Sequence, residues 1–437
     1  MINNWIASTF LAFAVSVGFV SDCFADDVAA TDHVKLARLL EEGNGSLVIP
    51  AGTYEFGGTL EIDLTSRRAT SVRADGPVTI LMKAPGPAIR VTGTLNSSAD
   101  PQGISDDTWL ERMPLLDGIG ILGAHEEADG IELVQTMQAV VSRVHIRKVR
   151  NAITLSQRNR NVIISNVHVY HNSGIGLFLN EVNLHQINVA NSHISYNREG
   201  GIVVRGGNVR NLHVTGCDIE ANMPNDTTPT ESGNVFIDCR ESGSVAEVAI
   251  TGNTIQHSAH YAPEKQAPGG ANIRIVGRED FQPNMITITG NVMSDTHTHL
   301  HLKKVVDTTV VGNTFFTTEP TDILVEECER IALANNVLNP RESSGTGQVV
   351  IRNSSNCTLL GLICHNLQAS AAAITLHNCQ ATRVSQCIIS GSPNGVKLDT
   401  CTNCSVTGCT VTGLPAGGKA VIGDVEGNDV DDVTATP

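Results

Sequence analysis

Four residues in this sequence carry side chains suited to proton transfer beside an anionic group: Asp238, Arg274, His301 and Lys303. Each lies on a short segment in which apolar and polar residues alternate, so each is expected to turn away from the aliphatic side of a strand and onto an exposed outer face. Removing the proton alpha to a carboxylate needs a base, with cations to neutralise the enolate that develops. In that scheme Arg274 or His301 is the base, Lys303 and Arg205 hold the carboxylate, Asp238 is the neighbouring acid, and Phe236 and His299 complete the substrate-binding set. Hydrolysis of a sugar bond instead requires two or three acids around one ring, and Asp238 has no evident partner, so elimination is favoured over hydrolysis. In His297-Thr298-His299-Leu300-His301 the alternation turns all three imidazoles to one side. His145, His168 and His193, followed by Asp218, recur at nearly equal intervals and read as a surface ladder of hydrogen-bonding residues rather than a ligand site.

These residues are far apart in the chain, so the chemistry depends on a fold that stacks them, and the sequence is periodic. Units such as Thr251-Gly252-Asn253-Thr254-Ile255, Thr289-Gly290-Asn291-Val292-Met293 and Val311-Gly312-Asn313-Thr314-Phe315 recur at steps of about 22 to 26 residues, with two longer steps of 36 and 38. Between them lie Gly130-Ile131-Glu132-Leu133, Gly201-Ile202-Val203-Val204, Asn272-Ile273-Arg274-Ile275 and Gly395-Val396-Lys397-Leu398, each alternating with period two. Three short strands per unit cannot bury their inner faces alone, and helical periodicity is absent. The expected fold is therefore all-β: a single-stranded right-handed parallel β-helix solenoid of some 14 coils, with a capping helix at Thr31 to Glu42. Residues 26–44 form the cap, 45–424 the β-helix with regular coils from about 118, and 425–437 a flexible acidic tail. Leu95 to Asp117, Ala221 to Gly233 and His257 to Ala271 read as insertions, the last two preceding strands of the candidate groove.

From Gly45 to about Asp424 the chain resembles the pectin-lyase-like β-helix superfamily, on the strength of its repeats and of Leu47-Val48-Ile49-Pro50-Ala51-Gly52-Thr53-Tyr54 at its start. The resemblance implies that the Gly-Ile strand is the first of each coil and that its outer face carries the substrate cleft. Its outward positions then include Glu132, Thr154, Gly176, Val203 with Arg205, Phe236 with Asp238, Arg274, His301 with Lys303, and Leu324 with Glu326. The paired Asp and Gly-His motifs of polygalacturonase-like members are absent, and so are the Asp cluster and Arg-x-x-Arg region of pectate-lyase-like ones. Two functions follow. One is a polysaccharide lyase-like enzyme acting on a uronate-containing or sulfated polysaccharide; the other is a non-catalytic glycan-binding or structural β-helix. No cofactor and no metal ligand is assigned, with calcium the one ion left open.

Composition bounds the rest. A formal charge of -16 argues against nucleic acid as a partner. Ile6 to Val20 and the small residues before Asp26 read as a signal peptide over residues 1–25, implying a secreted, periplasmic or cell-surface protein with no membrane span in the mature chain. Ten cysteines remain after its removal; Cys217, Cys387 and Cys409 share one inward position, and a ladder of buried free thiols is expected over a redox or zinc site. Asn253, Asn291, Asn313 and Asn336 are expected to form an amide ladder.

Overall fold

The chain is described from a computed structural model covering residues 31–97, 99–224, 230–257, 268–340 and 347–437. The signal peptide expected at 1–25, the start of the cap, and the middles of the two groove-side insertions lie outside those residues. Alternating aliphatics close into a right-handed parallel β-solenoid of about 15 turns, as expected. Every strand pairs in parallel with its counterpart one coil on, so three sheets run the length of the rod. In the first sheet Ile202, Val235, Ile273, Leu300 and Ile323 form one inward column. Val169 and Ile194 in the third sheet, and Ile255 further along it, are likewise inward and 0–2% exposed.

The recurring Gly or Asn of the Thr-Gly-Asn units has a conformational cause. Between the second and third sheets the chain turns through one residue at positive φ: 64° at Gly252, 66° at Gly290, 67° at Gly312 and 52° at Asn335. Nothing lies within 4 Å of a Cβ built on Gly252, Gly290 or Gly312, so backbone freedom and not space selects glycine there. The next residue turns inward. Asn253, Asn291, Asn313 and Asn336 stack with each Nδ2 donating to the following Oδ1 at 3.0 Å. Each amide supplies a donor and an acceptor, so one residue type repeated satisfies itself along the stack.

Helix Asp32–Glu42 lies across the open end with Leu36 and Leu40 buried against the first coil, and Asp32 Oδ2 accepts from the Glu55 backbone at 2.7 Å. The lid covers an apolar cross-section that would otherwise meet water. Within the first insertion, helix Asp106–Leu110 is capped by Ser105 Oγ, which accepts from the Thr108 N–H, and Trp109 packs on Leu95, Ile104 and Met137. Regular strand has already resumed at Leu115–Gly123, slightly ahead of the expected boundary.

At the far end the structure corrects the expectation of a frayed tail. Asp429–Asp431 pairs with Ser405–Thr407, and Thr434–Ala435 with Thr410–Val411, adding a last partial coil. The acids fall on its exposed side, and the backbone hydrogen bonds that hold it are indifferent to side-chain charge. All ten cysteines of the described residues are buried free thiols. Burial pushes the Cys239 and Cys328 thiols up to about 12, so they stay protonated and inert.

Candidate functional site

The outer face of the first sheet brings the candidate residues together over four consecutive rungs. Parallel register places Val203, Phe236, Arg274, His301 and Leu324 in one outward column, and Arg205, Asp238, Val276, Lys303 and Glu326 in the next. The same register corrects one assignment: Phe178 and Asn180, not Gly176, line up with Val203 and Arg205. Gly176 sits one residue before the inward Leu177, where a Cβ would come within 2.7 Å of the Gly201 carbonyl.

The centre of the face is a chain of alternating charge. Arg274 Nη1 lies 2.5 Å from His301 Nδ1, His301 Nε2 lies 2.6 Å from Glu326 Oε2, and Arg352 Nε donates to Glu326 Oε1 at 2.6 Å. An arginine can only donate, so His301 Nδ1 must accept and its proton must sit on Nε2, pointing at Glu326. On the other side Arg274 faces Glu231 Oε1 at 3.5 Å, and Arg240 pairs with both Glu231 and Asp238. Arg274 further donates to the Gly269 carbonyl at 2.5 Å and the Ser232 carbonyl at 3.4 Å, the described flanks of the two insertions.

Burial works against ionisation of Glu326, but the hydrogen bonds from His301 and Arg352 and the charge of Arg352 outweigh it and hold the carboxyl down to about 2. Asp238 is lowered in the same way, with burial opposing and Arg240 prevailing. Burial also draws the Arg274 guanidinium below its usual value, with Glu231 pulling back.

Several expectations about these side chains are corrected. Arg274 and His301 were placed on an exposed floor, yet they are 4% and 6% exposed because Phe236, Glu231 and the insertion flanks pack over them. Phe236 is itself 4% exposed, clustered with Val203 and Val276 under the guanidinium groups of Arg240 and Arg274, so no open ring face remains for a sugar. His299 does not share a face with His301: it is fully buried. Residue 299 occupies the corner before the inward Leu300, in line with Asn272, where the side chain turns in and strict alternation fails. Lys303 is half-exposed, 3.8 Å from Glu327 Oε1, and Arg205 is exposed beside the Phe178 ring, so both stand at the rim.

Glu326, Arg352, Glu231 and Arg240 belong to the centre although the sequence reading did not select them. Glu326 and Arg352 stand in the outward column that the sequence pattern defines, one and two coils beyond Lys303, but outside the four coils that carry the expected patch. Glu231 and Arg240 lie off the strand in the connections, where no periodic signal reaches. Away from this face, His145, His168 and His193 stack in register with Asp218, and the rings of His168 and His193 meet edge to face at 4.9 Å. Among the described residues no group of three or more His, Cys, Asp or Glu is placed to hold a metal ion. No helix among them is long and apolar enough to cross a membrane.

The family described as a right-handed β-helix region matches residues 124–255 and 230–435 of the chain. Among solved structures, the chain is similar to the tailspike protein of E. coli bacteriophage HK620 in complex with pentasaccharide, at 10% identity and a TM-score of 0.49, covering 92% of this chain and 75% of that one. It is also similar to the A-module of the Azotobacter vinelandii mannuronan C-5 epimerase AlgE4, at 13% identity and a TM-score of 0.43, covering 93% and 96%. A third is tailspike protein 3 of bacteriophage CBA120, at 12% identity and a TM-score of 0.47, covering 94% and 60%. A search of curated proteins found no match.

Proposed function

The chain belongs to the right-handed β-helix family, and from that premise we propose that it is an extracellular or cell-surface protein that cleaves an acidic polysaccharide by β-elimination. The observation that carries the reading is the Arg274–His301–Glu326 array on the outer face of the first sheet. Glu326 fixes the Nε2–H tautomer of His301 and leaves the Nδ1 lone pair as the basic site. Arg274 guards that lone pair in the free protein. A sugar carboxylate entering the groove competes for the guanidinium, draws it off Nδ1 and so frees the base beside the acidic carbon it must deprotonate. His301 Nδ1 takes the α proton, its electron pair becomes the new carbon–carbon double bond, and the bond to the leaving sugar oxygen breaks, that oxygen taking a proton from water. Lys303, Arg205 and Arg352 supply the cationic rim that a polyanion requires on a chain otherwise acidic.

A second reading, glycan binding without turnover, is favoured by one observation: both ring nitrogens of His301 are already engaged within the protein. Incubation with uronate and sulfated polysaccharides separates the two, using ultraviolet absorbance of the unsaturated sugar end for turnover and affinity electrophoresis for binding. Elimination requires absorbance with at least one uronate polymer, lost in His301→Gln; retention on the gel without absorbance for any polymer would leave binding alone.

A further inference from the structure

The wall formed by the second and third sheets in the C-terminal half of the rod differs from the rest of the surface. Its segments 285–294, 308–316, 331–339, 355–368, 384–396 and 401–418 contain no Asp, Glu, Lys or Arg, in a chain that carries 45 acids and 29 bases, and the charges of this half, Asp307, Glu329, Arg330 and Arg383, stand at the start of the second-sheet strands. Register aligns Val292, Thr314, Val337, Ile363, Ile388 and Thr410 into one outward column of the third sheet. Its large members run from 37% exposed at Val337 to 50% at Ile388, and Leu360 adds an exposed side chain from the second sheet. In the first half of the rod the same column holds His145, His168, His193 and Asp218. Single exposed aliphatics are ordinary on protein surfaces, but a contiguous uncharged stripe of them marks a contact face.

We propose that this stripe docks a second copy of the same chain. Three features select that occupant. Like charge opposes approach of two copies with a formal charge of -16 each on any acidic face, and among the described residues the third-sheet column from Val292 to Thr410 presents no charge, the nearest being Asp307, Glu329, Arg330 and Arg383 at the start of the second-sheet strands. The stripe repeats at about 4.8 Å per rung, a corrugation that another β-solenoid with the same spacing matches ridge into groove. Six rungs give a length of roughly 25 to 30 Å, along which two rods can lie side by side.

The test is sedimentation velocity of the full chain across a wide concentration range, beside Ile363→Lys/Ile388→Lys and a control, Ile163→Lys, at an equally exposed position on the second sheet of the other half. Association of the parent and the control, with the double variant sedimenting as a monomer and giving the parent's circular dichroism melt, supports the proposal. A parent that stays monomeric at the highest concentration overturns it, as does association that survives in the double variant or is lost equally in the control. If the double variant misfolds, Val337→Lys alone is read by the same criterion.

Discussion

The inner and outer faces of four rungs of one sheet solve the same problem in opposite ways. On the inner corner Asn234 Nδ2 donates to Asn272 Oδ1 at 2.8 Å, Asn272 meets His299 Nδ1 at 3.0 Å, and His299 Nε2 stops 3.9 Å from Asp322 Oδ1. The same ladder continues back through Asn222, Asn197 and Asn172. On the outer face Phe236, Arg274, His301 and Glu326 come from the same strands, and their polar members hold opposite charges against one another. An amide stacks on its own kind, so the inner face can repeat a single residue type for five coils. Charges repel their own kind, so an outer network must change residue at every rung. In a solenoid, therefore, repetition marks what holds the stack together, and a break in repetition marks what the stack was adapted to do.

The sharpest way to break the comparison is to exchange roles between two histidines two residues apart. His301→Ala removes the proposed base and is expected to lower turnover by roughly 10² to 10⁴-fold, measured as initial rate on the polymer that the parent cleaves. His299→Ala should leave the rate per folded molecule near the parent's. If both variants lose turnover equally at matched folded fraction, the faces are not functionally distinct and the catalytic assignment fails.

Stability should divide the other way, with a smaller effect. His299→Ala opens a cavity in the core and strips Asn272 of its acceptor, at a cost of roughly 2 to 4 kcal/mol, read from urea unfolding. Asn272→Ala cuts the same ladder one rung earlier and should cost about 1 to 3 kcal/mol. A ladder variant with the parent's midpoint and slope would show that the inner amides are ornamental.

The fold was legible because a solenoid writes its period into the sequence. Gly252, Gly290 and Gly312 announce the corner, and Asn253, Asn291, Asn313 and Asn336 announce the ladder behind it. The second ladder was not read, since its members sit at a corner with uneven spacing: 12 residues separate Asn222 from Asn234 and 38 separate Asn234 from Asn272. That corner also reversed the expected direction of His299. The groove residues Arg274, His301 and Lys303 could be placed by register alone, but their burial could not. Burial there comes from Glu231 and Gly269, which reach the site from connections that carry no pattern, and from Ser232 at the very start of its strand.

The smallest effect is in the pH dependence of stability, where the two faces titrate in different windows. Burial pushes His299 down from its ordinary 6.5 to about 3, against a hydrogen bond donated by the ring to the Phe316 backbone that acts the other way, so the folded protein keeps this ring neutral. The unfolded chain binds that proton below pH 6.5, so the unfolded state holds more protons between 6.5 and about 3 and stability falls as pH falls. Glu326 is also depressed, from 4.5 to about 2, but it is an acid, so its contribution is complete above pH 4.5 and is lost only as pH drops from there toward 2. Between pH 6.5 and 4.5 His299 should thus act without Glu326, at up to about 1.4 kcal/mol per pH unit. His145, His168 and His185 are lowered as well, chiefly by burial, and add to the parent's slope in that window. The variants isolate the share of each face. His299→Gln should flatten the dependence of urea stability between pH 6.5 and 4.5, and Glu326→Gln should leave that window unchanged while flattening it below. An unaltered slope in His299→Gln would mean that His299 is protonated in the folded protein and paired with Asp322, turning the end of the inner ladder into an ion pair of the kind found outside.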